Sequence, residues 1–483
     1  MKPTKLALVI PNSIAPKWFH ALLEELRSKG IESRVYTLFS SSIRRGYSVK
    51  HIWLHNLFGN SQVDYLEGKS LDSSVVSDDF ELLKSLEIDS ETHIVDFTNS
   101  EDVRIFSAQH SDVVLWKFSP LAWTPSDKDI SYRCWSAQKA GSIIEYYRET
   151  NGVQTHLDSV VSPGGQISLF DYRCVYAAFP GRFVQWLQSK TLANSSLATF
   201  SDLESRGTCI GNTIIELSRK IVRRLRKSAW VLLYKKGDSS EWNVISAKAG
   251  KELADPFVHS SNGNTFVFAE EIDPSGLGRI VAFPLEDHTS RTLIIDKPFH
   301  MSYPYLIEEG GKLYMIPEAS ESNTLTLYRC TEYPYKWEKV CNLLEETRIV
   351  DASVIKWKGR WWMFGNTKKY GATYNEELSI FYADLLIGPW LPHNCNPICV
   401  DSRYSRPAGA FIVEEDQLFR YVQDCSWTYG ERIHKMAIQV LTESKFSECW
   451  MKQVDFNLPK AFSANHTYNQ SNNEDTIITD VYN

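Results

Sequence analysis

The chain has no long apolar run. Nothing in its 483 residues approaches 18 consecutive apolar positions, so no membrane-spanning helix is expected. It has no CxxC pair. Its nine cysteines, an odd number, are scattered from Cys134 to Cys449, which leaves a zinc ribbon unsupported and predicts a reduced, intracellular protein. Positive charge is not in excess: 52 Lys and Arg face 59 Asp and Glu, for a net charge of −7, which argues against a dedicated nucleic-acid binder. There is no GxGxxG, and no GxxxxGK followed by Ser or Thr, so neither a dinucleotide nor a P-loop nucleotide is signalled. The first apolar run, residues 6–10, is too short for a signal-peptide core. No cofactor and no metal site is expected. Aromatics are plentiful by contrast. They make up 13% of the chain and include 15 Trp, a composition that leans toward β-structure and suits either a Trp-rich core or sugar stacking.

The N-terminal third alternates strand and helix patterns. Residues 5–11 read as a strand. Pro16 opens a helix with Trp18, Phe19, Leu22, Leu23 and Leu26 on one face, stopped by Gly30. Residues 33–38, 93–97 and 113–118 read as further strands, with a short helix near 102–109. This order predicts an open parallel sheet with helices on both faces, an α/β domain over 1–175. The segments PKWFHALLEELRSKGI and DVVLWKF resemble the N-terminal half of formyltransferases of the methionyl-tRNA and sugar N-formyl type. That resemblance implies an Asn, a His and an Asp near a folate. Here the corresponding stretches read SPLAWTPSD and SPGGQI, so the fold is expected without formyl transfer.

Residues 176–228 read as a linker containing a basic amphipathic helix at 211–227. Ile214, Ile221, Val222 and Leu225 form one helical stripe, while Arg219, Lys220, Arg223, Arg224, Arg226 and Lys227 add six positive charges. Such a helix suits an anionic membrane surface. The alternative is a helix packed between domains with its basic side solvated.

The C-terminal half, 229–483, is a repeat. Segments beginning at Ala254, Ser302, Val350 and Ala408 align without a gap, each a strand, a polar turn and a second strand. Each is followed by another strand pair, three of them marked by Trp337, Trp390 or Trp450. One such pair, with Trp242, stands alone before the first hairpin, and NHTYNQSNNEDTIITDVY can supply a last hairpin. Four-stranded units at a period near 48 predict a five-bladed β-propeller in which both ends of the domain share a blade.

Equivalent inner-strand positions then ring a central funnel. They are Asp255, Tyr303, Asp351, Gly409 and approximately Asn465 or His466 on first strands, and Glu270, Glu318, Asn366, Asp424 and approximately Asp480 at second-strand ends. Ringed carboxylates raise one another's pKa and can differentiate into acid and base, the pairing that glycoside chemistry needs. The other reading of Asp255 and Asp351 is as turn caps.

Several segments resemble the N-terminal propeller of plant glucosamine inositolphosphorylceramide transferases and bacterial relatives. They are ADPFV, HMSYPYLIEEGGKLYMIPEAS, LYRCTEYPYKW, DASVIKWKGRWWMF, GPWLPHNCNP, RPAGAF, QDCSWTYG and HTYN. More distantly the repeat is similar to five-bladed glycoside hydrolases, which implies Asp255 as base, Asp351 as a tuning carboxylate, and Glu318 or Glu270 as acid. His300, Tyr303, Arg406, Gln423, Asp424, Tyr429 and His466 are the expected contacts to sugar or phosphate groups. The resemblance implies a glycan-active protein, most simply a sugar transferase in surface polysaccharide or glycolipid assembly. Its ligand would be a sugar, a nucleotide sugar or a lipid-linked acceptor, and its place the cytoplasm or the inner membrane face. A propeller glycosidase and a non-catalytic carbohydrate-binding scaffold are the alternatives.

Overall fold

In a computed structural model the described residues are 229–482, apart from 238, 240, 249, 369–372, 427–428, 457, 459–461 and 463. Before them come 5–10, 14–38, 68–70, 76–79, 92–97, 114–119, 142–150, 153–162 and positions 103, 105, 106, 109 and 183. The basic segment 211–227 and the stretches 120–127 and 163–167 lie outside them. The chain divides into two compact units that part between Thr213 and Ile214.

In the N-terminal unit seven of the described strands form one sheet, while Ile14–Pro16 and Gly68–Ser70 pair as a separate two-stranded one. The order of the larger sheet is Val76–Asp79, Ser33–Thr37, Lys5–Ile10, Thr92–Asp96, Val114–Ser119, Ser142–Thr150, Val153–Ser162. The first five are parallel and the last two antiparallel. Helix Lys17–Ser28 buries Phe19, Leu22 and Leu26, spaced one turn apart. It ends because Gly30 takes φ 67°: its N–H reaches the Arg27 carbonyl and the Ile31 N–H reaches the Leu26 carbonyl, a Schellman cap.

The C-terminal unit is a five-bladed propeller, with strands running from inner to outer in each sheet. The first blade is Glu252–Ser261, Asn264–Ile272, Gly278–Pro284 and Thr292–Ile295. The second is Ser302–Glu309, Lys312–Glu318, Leu325–Glu332 and Lys336–Leu344. The third is Val350–Trp357, Arg360–Thr367, Glu377–Ala383 and Leu391–Pro392, with Cys399–Val400 pairing the third strand as well. The fourth is Ile412–Glu414, Gln417–Asp424, Arg432–Leu441 and Phe446–Gln453. The fifth draws on both ends: inner strands Tyr468–Gln470 and Thr476–Tyr482 pair with outer strands Trp230–Lys236 and Asn243–Ile245. Seven residue pairs, from Trp230 with Tyr482 to Lys236 with Thr476, close the ring.

Apolar side chains weld neighbouring blades. Phe257, Phe268 and Ile280 of blade one meet Tyr305, Ile307 and Met315 of blade two, and that cluster continues to Trp361 and Met363 of blade three. Trp362, Phe364 and Ile380 meet Phe411, Leu418 and Ile438 across the next junction. Leu232, Ile245 and Ile478 meet Leu253, Val258 and Val267 at the closing seam. Each such side chain contributes roughly 1.5–3 kcal/mol when fully buried. Of the Trp markers, Trp337 packs against a core cluster and Trp390 is buried, whereas Trp450 stays 36% exposed.

Candidate functional site in the propeller funnel

The site begins with a backbone irregularity repeated around the ring. Asp255, Tyr303 and Asp351 have φ of 49°, 45° and 50°, and Gly409, at the same place in blade four, has φ 122°. In the first three blades the pairing register slips there, between Ala254 and Phe257, Ser302 and Tyr305, and Val350 and Ser353. A left-handed residue inside a bulge re-aims its side chain, and for a non-glycine it costs on the order of 1 kcal/mol. Such strain persists only where the surroundings enforce it.

Two buried clusters surround these bulges. In the first, His466 stands between two aspartates: Nε2 is 3.1 Å from Asp255 Oδ1, and Nδ1 is 3.1 Å from Asp480 Oδ2. Asp480 also accepts the backbone N–H groups of Asp255 (2.8 Å), His466 (3.1 Å) and Thr467 (2.9 Å). The Thr467 hydroxyl donates to Asp255 Oδ1 at 2.8 Å. Trp230 packs edge-on against the imidazole, with ring centroids 4.3 Å apart, and Tyr429 lies 5.0 Å away. Burial alone would lower the His466 pKa, but the charges of Asp480 and Asp255 push it up to about 10. Burial would raise the Asp255 pKa, but the His466 charge and its contact, the Thr467 hydroxyl and Arg406 bring it below the ordinary aspartate value.

The second cluster is built on Asp351. Its Oδ2 accepts from Arg406 Nε at 2.5 Å and Gln423 Nε2 at 3.0 Å. Arg406 also donates to Asn375 Oδ1 at 2.7 Å and lies over the Tyr429 ring, 4.9 Å from its centroid. The Asp351 N–H donates to Glu318 Oε2 at 3.1 Å. Burial first, and the Asp351 charge second, push the Glu318 pKa up to about 8 against the pull of Arg406. Glu270 likewise rises to about 7, by burial and the nearby Asp255 charge, against the pull of His300. His300 Nε2 lies 3.0 Å from Glu270 Oε1.

The remaining sequence candidates have other surroundings. Tyr303 is fully buried; its hydroxyl meets Ser353 Oγ, donates to the Gly409 carbonyl and accepts the Gly409 N–H, tying blades two, three and four. Gln423 joins Asp351 to the Pro407 carbonyl. Asp424 accepts from Ser426 and faces His434 at 3.4 Å; burial would raise its pKa, and His434 and Ser426 lower it. The structure therefore brings together Asp255, Glu270, His300 and His466 on one side, and Glu318, Asp351, Arg406, Gln423 and Tyr429 on the other. Trp230, Asn375 and Thr467 were not among the sequence candidates. Trp230 and Asn375 carried no signal, whereas Thr467 sits inside the HTYN segment that had already been singled out.

Among the described residues, one group of potential metal ligands has its atoms within 4.8 Å of one another: Asp255, His466 and Asp480. Both ring nitrogens of His466 already face a carboxylate, so a metal would have to displace a proton held between two anions.

A five-bladed propeller with carboxylates of divided environment around its funnel is thus the class that fold and site define. Residues 240–478 match the family described as glucosamine inositolphosphorylceramide transferase 1, N-terminal. Glucosamine inositolphosphorylceramide transferase 1 of Oryza sativa subsp. japonica is 31% identical over 233 residues, covering 44% of this chain and 31% of the relative. Its Arabidopsis thaliana counterpart is 30% identical over 225 residues, covering 45% and 29%. The chain spans about a third of the length of these curated relatives. Similar solved structures include a GH43 protein from Bacillus licheniformis, with 16% identity, TM-score 0.33, and 46% of this chain and 51% of that one covered. A family 117 glycoside hydrolase from Zobellia galactanivorans has 13% identity, TM-score 0.31, and 53% and 90% covered.

Proposed function

We propose that the propeller binds a sugar in its funnel and that the chain takes part in sugar transfer during glycolipid or surface polysaccharide assembly. The observation that carries this reading is the match of residues 240–478 to the N-terminal region of a glycolipid sugar transferase. The chemistry of the site supports it. An ionised Asp255 can take the proton of an attacking hydroxyl, while carboxyls held protonated near neutrality can give one to a leaving oxygen. The same pair would serve a glycosidase if water were the acceptor, and that is the second reading. The donor would be an activated sugar, such as a nucleotide sugar, and the acceptor a lipid-linked or glycan hydroxyl.

Turnover of activated sugars with lipid or glycan acceptors, set against release of free sugar, separates transfer from hydrolysis. Asp255→Asn is expected to lower either activity by at least about a hundredfold, the scale of general-base loss, with the fold kept by circular dichroism and a thermal midpoint lowered by the loss of the buried His466 contact. Full activity in that variant would sink the assignment. Binding of sugar with neither activity would leave a carbohydrate-binding scaffold.

The formyltransferase-like reading of 1–175 belongs to this proposal, as a domain without formyl transfer; stoichiometric deformylation of a formyl-folate would overturn it. Attachment of 211–227 to an anionic cytoplasmic membrane face is likewise proposed. Among the described residues no helix is long and apolar enough to cross a membrane. Flotation with anionic liposomes is expected to fall when the six basic residues become Gln, and equal flotation counts against attachment.

A further inference from the structure

The carboxylates at the second-strand ends are not equivalent. Asp480 accepts the N–H of Asp255, the bulge residue of the next blade, at 2.8 Å. Glu318 accepts the N–H of Asp351, again the next blade's bulge residue, at 3.1 Å, and its other oxygen accepts the Ser320 hydroxyl at 3.2 Å. Asp424 accepts both the N–H and the hydroxyl of Ser426. Asp480 and Glu318 each tie one blade to the next, and Asp424 is satisfied within its own blade, each as an acceptor. Glu270 differs. Among the described residues no backbone N–H and no hydroxyl donates to its carboxylate, and the His300 imidazole is the one polar hydrogen it faces. A structural carboxylate this deeply buried would be expected to have such donors.

Room for Glu270 is built into the chain. A Cβ at Gly278 would lie 2.0 Å from Glu270 Oε1, so the carboxylate occupies the space a side chain there would fill. The one close group is His300, whose Nε2 is 3.0 Å from Oε1 and whose side chain is 35% exposed. The Gly278 N–H donates to His300 Nδ1 at 3.1 Å, which leaves Nε2 as the protonated nitrogen facing Glu270. Oε1 is thereby occupied, and Oε2 is the atom free to carry a transferable proton. Asp255 is the neighbour in the same blade, since Ala254 and Glu270 are cross-strand partners. On Asp255 the pattern repeats: Oδ1 is engaged by Thr467 and His466, and no protein partner reaches Oδ2 among the described residues.

Resting on the sugar-transfer reading above, we propose that Glu270, not Glu318, is the proton donor of the funnel, working opposite Asp255, with His300 as its positioning residue. In the step, the bond from the donor's anomeric carbon to its leaving oxygen breaks, and the Glu270 Oε2 proton moves to that oxygen. The acceptor oxygen bonds the anomeric carbon, and its proton passes to Asp255 Oδ2. Exchange with water restores both groups. Glu318 keeps a ring-joining role.

The test compares wild type, Glu270→Ala, Glu270→Gln, His300→Ala and Glu318→Gln on two sets of glycosyl donors. Methyl glycosides need a proton on the leaving oxygen, and 2,4-dinitrophenyl glycosides do not. Glu270→Ala is expected to lose about 10²–10⁴-fold on the first set, far less on the second, and to lose the alkaline limb of the pH profile. His300→Ala is expected to shift that limb with a smaller loss. Equal loss on both sets, or the leaving-group pattern appearing in Glu318→Gln instead, overturns the proposal. A second measurement does not need turnover. With ¹³C-labelled glutamate side chains, the signal removed by Glu270→Gln is expected to titrate well above the ordinary glutamate range and to move when sugar binds. A Glu270 signal that titrates near 4.5 overturns it. Failure of any sugar to bind or react, with that titration intact, would count against the sugar-transfer reading and leave the identity of the titrating acid standing.

Discussion

Glu318 shows how a single buried carboxyl writes itself into stability. Its pKa is about 8 in the fold against an ordinary 4.5, because burial and Asp351 disfavour its charge. The folded state then holds a proton that the unfolded chain releases, so stability falls as pH climbs from about 4.5 to about 8. Glu318→Gln keeps an acceptor for the Asp351 N–H and removes the titration. Melting curves from pH 4 to pH 9 should show the variant gaining on wild type as pH rises, with the gain complete near pH 9; parallel curves would refute the assignment. His466 adds a second slope of the same sign, from 6.5 to about 10, common to both proteins and absent from their difference. At Gly278 the argument is steric. The Cβ of Gly278→Ala would meet Glu270 Oε1 at 2.0 Å and the Met301 carbonyl at 2.8 Å. A cost of about 1–3 kcal/mol in denaturant unfolding is expected from forced displacement in a packed site.

At the scale of elements, the hairpins were the most legible feature, and their turns explain why. Four inner hairpins have two-residue loops, Asn262-Gly263, Gly310-Gly311, Lys358-Gly359 and Glu415-Asp416, each with φ positive at both positions. These are the primed turns that suit twisted strands, and Asn-Gly announces them from sequence. Of these four, blade four's turn is the one without glycine, with φ of 50° and 61°. Glu415→Asn with Asp416→Gly should therefore stabilise the protein by about 1 kcal/mol in chemical denaturation, since left-handed residues with a Cβ carry that order of strain. A destabilised double variant would mean these side chains hold the turn by contacts that outweigh the strain. The ring positions, too, could be counted from the repeat. The left-handed bulge at Asp255, Tyr303 and Asp351 could not, because it breaks the alternation by which strands are read. Nor could the role of Glu270 be told from that of Glu318: both end equivalent strands, and only contacts with Gly278, His300 and Asp351 distinguish them.

For the propeller as a whole, the closing blade decides whether the site exists. Strands Trp230–Lys236 and Thr476–Tyr482 begin and end the ring, and their pairing carries Asp480 to Asp255 across 225 residues of chain. The hairpin they complete also delivers His466 and Thr467 to the same carboxylate. A sheet left with an open edge, and with a buried Asp255 deprived of its counter-ion, has lost both its seam and its charge balance. Ending the chain after residue 464 removes both inner strands of that blade. The shortened protein is expected to lose the cooperative unfolding transition of the propeller, read by near-ultraviolet circular dichroism and calorimetry. A peptide of residues 465–483 added in trans should restore that transition, and the same peptide carrying Asp480→Ala should restore it less well. An unchanged melting midpoint in the shortened chain would show that the ring and its acidic funnel stand without their seam.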